Sequence, residues 1–165
     1  MNLHRVQYDE LDSRLRGEID AIRHASFDEL RKIYVLARPD GAATTHGIGG
    51  ALGIDAEWLA VAVLFSGSAV AYFEYRRQDN ALAIKSLCVA TAMRRRGILR
   101  QLLEQLSAEY KTAMSLWCVE HTGNQAIFAR VGFHLLHAEV SPYFTTPDGR
   151  PIMEYQMLRP FVPLP

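Results

Sequence analysis

Arg94, Arg95, Arg96 and Arg100 bracket Gly97 in the run Leu87-Cys88-Val89-Ala90-Thr91-Ala92-Met93-Arg94-Arg95-Arg96-Gly97-Ile98-Leu99-Arg100. Apolar residues precede this basic turn, and leucines at helical spacing follow it. A strand that feeds a glycine turn and then a helix brings several main-chain N–H groups to one point. The first turn of a helix leaves its N–H groups without intrahelical partners, and the helix dipole favours an anion there. The chemistry this suggests is the grip of a phosphate or pyrophosphate, with arginines around it and Gly97 allowing close main-chain approach. The plain alternative is a solvated basic turn.

The elements that position this turn follow from periodicity. Leu3 to Tyr8 alternates and predicts a short strand. Asp12 or Ser13 can cap the helix that carries Leu15, Ile19 and Ile22 on one face. A second, shorter helix is predicted over Ser26 to Tyr34. Pro39, Asp40-Gly41 and Gly47 to Gly50 mark a flexible loop over residues 38–53, which could border a substrate site. Strands are predicted over Trp58 to Phe65, Ala69 to Arg76 and Ala81 to Val89, joined by turns at Ser66-Gly67-Ser68 and Gln78-Asp79-Asn80.

After Gly97, the residues Leu99, Leu102, Leu103 and Leu106 trace one helical face. The strand Ala113 to Val119 then lies parallel to the one ending at Val89, through a right-handed crossover. A short helix spans Gly123 to Arg130, with Thr122 as a candidate cap and Gly132 as its stop. Phe133 to Val140 and Pro151 to Arg159 form an antiparallel pair around the turn Pro147-Asp148-Gly149. The whole is a single α/β domain. Its mixed sheet of about seven strands has an antiparallel meander, a central parallel crossover and a C-terminal hairpin, with helices on both faces.

Composition narrows the function. The 165 residues suit one domain, and 49% are hydrophobic. Formal net charge is zero, which argues against a nucleic-acid partner, and no aromatics interleave the arginines. Cys88 and Cys118 sit in apolar runs and read as reduced core thiols. There is no CxxC or Cys/His cluster, so no metal is expected. The N-terminal residues turn charged at once, and no stretch is long and apolar enough for a bilayer. A cytoplasmic protein without membrane contact, monomer or homodimer, is expected.

The element order resembles the GNAT superfamily of acyl-coenzyme A-dependent N-acetyltransferases. Arg94 to Leu99 is similar to its signature Arg/Gln-x-x-Gly-x-Gly/Ala at Arg94 and Gly97, with Leu99 in the last position. Phe128-Ala129-Arg130-Val131-Gly132-Phe133 fits a second feature, an aromatic followed by three residues and Gly-Phe. The resemblance covers residues 55–160, with a cofactor-binding core over 55–135. A looser likeness to the aminoglycoside 2'-N-acetyltransferase branch rests on the helix-rich start, the bulky Leu99 and the Pro-Asp-Gly turn. It points to a polar amine substrate.

The resemblance implies acetyl-coenzyme A as co-substrate and a small-molecule primary amine as acceptor. Cys88, Val89 and Ala90 would meet the pantetheine arm as an extra strand would. The N–H groups of Arg95, Arg96, Gly97, Ile98, Leu99 and Arg100, beside Arg94, would hold the pyrophosphate. Phe128 would pack near the thiol. Many family members carry Tyr there as an acid for the departing thiolate, and Phe has no proton to give. A thiol pKa of about 8.5 makes the thiolate a tolerable leaving group without that help.

Amine acetylation also needs an oxyanion donor and a proton acceptor. The resemblance implies strands that splay apart after Val89 and Val119, with the N–H of Val89 or Ala90 facing the thioester oxygen. Many relatives carry a carboxylate on the third meander strand, yet Ala81 to Val89 has none. Glu74, Glu120 and His121 remain as candidate bases, and Tyr143 could supply a hydroxyl if its loop folds over the site. Glu120 and His121 end the crossover strand, where ligands gather in parallel sheets. His24 and His46 read as surface or loop residues, and Tyr155 as strand packing. A non-catalytic acyl-coenzyme A sensor on the same fold is the alternative, motivated by Phe128 and the carboxylate-free third strand.

Overall fold

The computed structural model of the protein describes residues 1–37 and 58–163. The loop expected over 38–53, with His46, lies outside the described residues. The described chain runs β1 (His4–Gln7), α1 (Ser13–Leu30), β2 (Val35–Leu36), β3 (Leu59–Phe65), β4 (Ser68–Gln78), β5 (Ala81–Val89), α2 (Ile98–Tyr110), β6 (Ala113–Val119), α3 (Asn124–Arg130), β7 (His134–Thr145) and β8 (Pro151–Arg159). These strands form one sheet in the order β1-β3-β4-β5-β6-β8-β7-β2. All neighbours are antiparallel except β5 and β6.

The α/β architecture, the meander, the parallel crossover and the final hairpin match the sequence reading. Two local features differ. The sheet has eight strands among the described residues, because Val35 and Leu36 pair with Thr145 and Phe144 at the far edge. A two-residue strand is too short to show alternation in a sequence. In addition, α1 is one helix where two were expected. Asp12 caps it by accepting the Leu15 N–H at 2.8 Å. From Ser13 to Leu30 no proline intervenes, so Ser26 sits inside the helix without ending it.

Helices cover both faces. On one, α1 packs Ile19 against Ala62, Tyr72 and Cys88. On the other, α2 buries Ile98, Leu102, Leu103 and Leu106, and α3 adds Phe128 against Phe133. Each such aliphatic side chain contributes about 1.5–3 kcal/mol on burial, so α2 is fixed by its inner face. Leu99 is partly buried against this core. No helix among the described residues is long and apolar enough to cross a membrane.

Candidate acyl-transfer site

The sheet opens at its centre. The parallel pairing of β5 with β6 runs from Ala81↔Ala113 to Ile84↔Leu116, while β5 continues to Val89 and β6 to Val119. A bulge causes the divergence. Between Lys85 and Cys88, β5 holds one residue more than β4, and Ser86 adopts φ +54°. Such an insertion bends its strand. β5 follows β4, whereas β6 stays on β8 through Val119↔Glu154.

Hydrogen bonding fixes which groups face the opening. The Ala90 N–H donates to the Val70 carbonyl at 2.9 Å. Antiparallel rungs alternate, so Ala71↔Val89 is a rung without hydrogen bonds and the Val89 N–H and C=O point away from β4. Of the two expected oxyanion donors, Ala90 is therefore corrected: its N–H is consumed inside the sheet. Val89 retains a donor aimed into the gap.

The basic turn stands beyond Val89. A single 3-10 turn over Thr91–Met93 leads to Arg95 at φ +62° and Gly97 at φ +79°. Gly97 takes the cap position of α2 with no side-chain bond to the helix, and its carbonyl receives the Gln101 N–H at 3.0 Å. Among the described residues the N–H groups of Arg95 through Arg100 donate to nothing. A Cβ placed on Gly97 would meet no protein atom within 4 Å. The corner is thus open at Gly97, beside donors that no other group among the described residues takes up. Arg95, Arg96 and Arg100 are exposed around it.

Arg94 is placed differently from its expected partners. Its Nη1 reaches both carboxylate oxygens of Glu29 on α1, at 3.0 and 3.1 Å, and its Nε donates to the Val89 carbonyl at 3.2 Å. The side chain ties the turn to α1 and braces the edge of the gap.

The candidate bases divide by environment. Glu74 is buried, bonded by the Tyr72 hydroxyl at 2.9 Å and paired with Lys85 Nζ at 3.2 Å. Lys85 in turn lies 4.0 Å from the Trp58 ring centroid. Glu120 accepts the Met153 N–H on Oε2 at 3.1 Å, and its own N–H donates to the Met153 carbonyl. Its Oε1 has no protein partner among the described residues. His121 is 65% exposed in its side chain, 3.8 Å from Glu120, and held at φ +66°. Tyr143 is corrected in position: it lies within β7, not on a loop, and packs with Val119, Phe144 and Ile152, a cluster separate from that of Phe128.

The cysteines are both free and buried. Burial pushes the Cys88 thiol up to about 11, with Arg23 opposing. Burial and then the Glu154 charge push Cys118 to about 11. Neither thiol is ionised at neutral pH, so Cys88 offers its backbone, not a nucleophile, to this site.

Sequence reasoning missed Glu154. It is 1% exposed, one strand over from Val119. Burial, and then the charge of Glu154, raise the Tyr34 hydroxyl to about 12. Its place in an alternating strand reads as a solvent-facing position. The residue whose hydroxyl feels its charge, Tyr34, lies far away in sequence.

Comparison with known proteins places this geometry. A family profile described as an acetyltransferase (GNAT) domain matches residues 54–142, more than half of the chain. No curated protein matches the sequence. Among solved structures, an aminoglycoside 6'-N-acetyltransferase complexed with coenzyme A is 14% identical with a TM-score of 0.65, over 98% of this chain and 99% of that one. The ribosomal-protein-S18-alanine N-acetyltransferase of Escherichia coli is 15% identical with a TM-score of 0.62, over 99% and 97%. The aminoglycoside 6'-N-acetyltransferase of Enterococcus faecium is 12% identical with a TM-score of 0.63, over 100% and 99%. At these identities the likeness establishes the fold.

Proposed function

We propose that this chain, which belongs to the acetyltransferase (GNAT) domain family, transfers an acetyl group from acetyl-coenzyme A to a primary amine of a small molecule by direct attack. The observation that carries the reading is the coincidence of two open features. One is the gap beyond Ile84↔Leu116, and the other is the unspent N–H cluster from Arg95 to Arg100. A diphosphate suits the second, because helix N-terminal donors and nearby arginines favour an anion. An extended thiol-bearing arm suits the first, because the Val89 N–H faces the gap with no neighbouring strand, while its carbonyl accepts from Arg94 Nε.

Acetyl-coenzyme A supplies the activated acyl group. The Val89 N–H donates to the carbonyl oxygen as negative charge develops there, the role that contributes most in acyl transfer. Glu120, with one carboxylate oxygen uncommitted, and His121 beside it take the amine proton. Glu74 holds the sheet together through Lys85 and Tyr72. Phe128 shields the thioester without donating a proton. A single domain working in the cytoplasm, where both thiols stay reduced, fits this chemistry.

Thioester consumption assayed against a panel of primary amines tests the proposal. Turnover that depends on the amine, together with thermal stabilisation by acetyl-coenzyme A, is the expected result, since a ligand that prefers the folded state must stabilise it. Stabilisation without turnover on any amine favours the alternative, an acyl-coenzyme A sensor. Phe128 and the engaged Glu74 motivate that reading. Absence of both effects contradicts each.

A further inference from the structure

Alternation along β8 sets Met157 and Arg159 on one face of the sheet. Met157 is buried in the core that α2 covers, and so is Met114, which stands opposite Arg159 on the last rung with β6. A cation therefore occupies a position that the pattern assigns to an apolar side chain. Gly132 makes room for it. A Cβ at Gly132 would come 3.4 Å from Arg159 Nε and 3.7 Å from its Cγ and Cδ, so the arginine stem runs across the bare main chain just after α3.

Arg159 lines a cleft of about 310 Å³ together with Ser107 of α2, Val131, Gly132, His134 and Val162. That volume is at the lower end of the range for small-molecule sites. No carboxylate is among the residues that line it. Arg159 Nη1 is shut off from solvent and has no hydrogen-bond partner among the described residues. A guanidinium keeps its charge at any ordinary pH, and a buried charge without a partner is costly. An oxyanion in the cleft satisfies that nitrogen, and guanidinium–carboxylate hydrogen bonds are among the strong ones. The Ser107 hydroxyl and the His134 ring add polar groups. Val131 and Val162 add apolar surface, and Val162 is 70% exposed.

We infer that this cleft is a second ligand site, which takes a small organic anion: a carboxylate held by Arg159, with a short apolar body against Val131 and Val162. It lies apart from the acyl-transfer gap. The β6–β8 ladder places Arg159 at Met114 and Glu154 at Val119, so the site and the gap stand at opposite ends of β6, roughly 17 Å apart at ~3.3 Å a residue. The inference stands or falls without coenzyme A.

Titration of the full chain with isobutyrate, followed by amide resonances in the absence of coenzyme A, reads it. Isobutyramide has the same shape without the charge and serves as the control probe. Isobutyrate is expected to bind saturably in the millimolar range, with shifts at Ser107, Val131, Gly132 and His134. Isobutyramide is expected to bind about tenfold more weakly or worse. Arg159→Met keeps an unbranched apolar stem and removes the charge, and is expected to weaken isobutyrate by a similar factor.

No saturable shift at those four residues overturns the inference. So do isobutyramide binding as tightly as isobutyrate, shifts confined to the basic turn between Arg95 and Arg100, or a folded Arg159→Met variant that binds isobutyrate like the wild type. Should that variant not fold, the comparison of the two probes on the wild type decides alone.

Discussion

Ile84 faces Leu116 on the last rung that β5 shares with β6, and beyond it the two strands part company. Everything proposed about catalysis depends on that parting. Had the ladder continued to Val89, its N–H and C=O would be spent on β6, and no extended ligand could enter. On the proposed reading, the bulge at Ser86 serves to open that gap.

The Val89 N–H is the proposed oxyanion donor, and it faces away from β4. Val89→Pro removes it without deleting a β4 ladder bond. A fall in kcat of about 10²–10³ is expected for loss of one such donor, with circular dichroism unchanged. Ala90→Pro is the contrasting variant. It deletes the bond to Val70, and its first effect is on stability.

Gly97 combines φ +79° with open space where a side chain would begin. Gly97→Ala is expected to cost about 1–2 kcal/mol from the left-handed backbone alone, lowering Tm by a few degrees. Its larger effect falls on the ligand, since the new methyl group stands among the turn's donors. Affinity for coenzyme A, read by calorimetry, is expected to drop tenfold or more, a loss of about 1.4 kcal/mol at the least. Gly97→Val adds β-branching at the same φ and destabilises further.

Phe128 packs its ring against Phe133 with centroids 5.6 Å apart and is buried. Phe128→Ala is expected to cost about 3–5 kcal/mol, seen as a large loss of Tm. Phe128→Tyr keeps the ring. Activity is expected to hold or rise, because the hydroxyl supplies an acid that the reaction now does without. A large fall in kcat at unchanged Tm would show that the thiol's surroundings require an apolar ring.

Cys88 and Cys118 are both raised to about 11 in the fold by burial. A thiol raised in the native state is a group whose protonated form the fold prefers. Its contribution is fully present below the unfolded value, near 9, and is lost as pH climbs to about 11. Denaturant midpoints are therefore expected to fall across that window, and less steeply in a Cys88→Ala variant. At pH 8 both thiols are expected to resist alkylation until the chain is unfolded.

The sequence legibly carried the parts fixed by local pattern. The bounds of β5 and β6, and α2 with its leucine face, followed from periodicity, and the basic turn from Gly97 and its arginines. What escaped depends on distant partners. Ser86 looks like any polar strand residue, yet its positive φ opens the sheet. Glu74 reads as a candidate base, and the partners that hold it, Lys85 and Tyr72, are not legible in the sequence. Arg94 reads only as a phosphate ligand in the sequence, and its ion pair with Glu29, far away in the chain, appears only in the fold. Ala90 and Val89 are indistinguishable as donors until the hydrogen-bond parity of β4 separates them.

A crystal structure of the protein with coenzyme A bound tests the central claim most directly. The account predicts diphosphate oxygens within hydrogen-bonding distance of the N–H groups between Arg95 and Arg100, and the pantetheine arm beside Val89 in the gap between β5 and β6. Coenzyme A bound elsewhere, or a corner at Gly97 closed by the protein's own side chains, would contradict it.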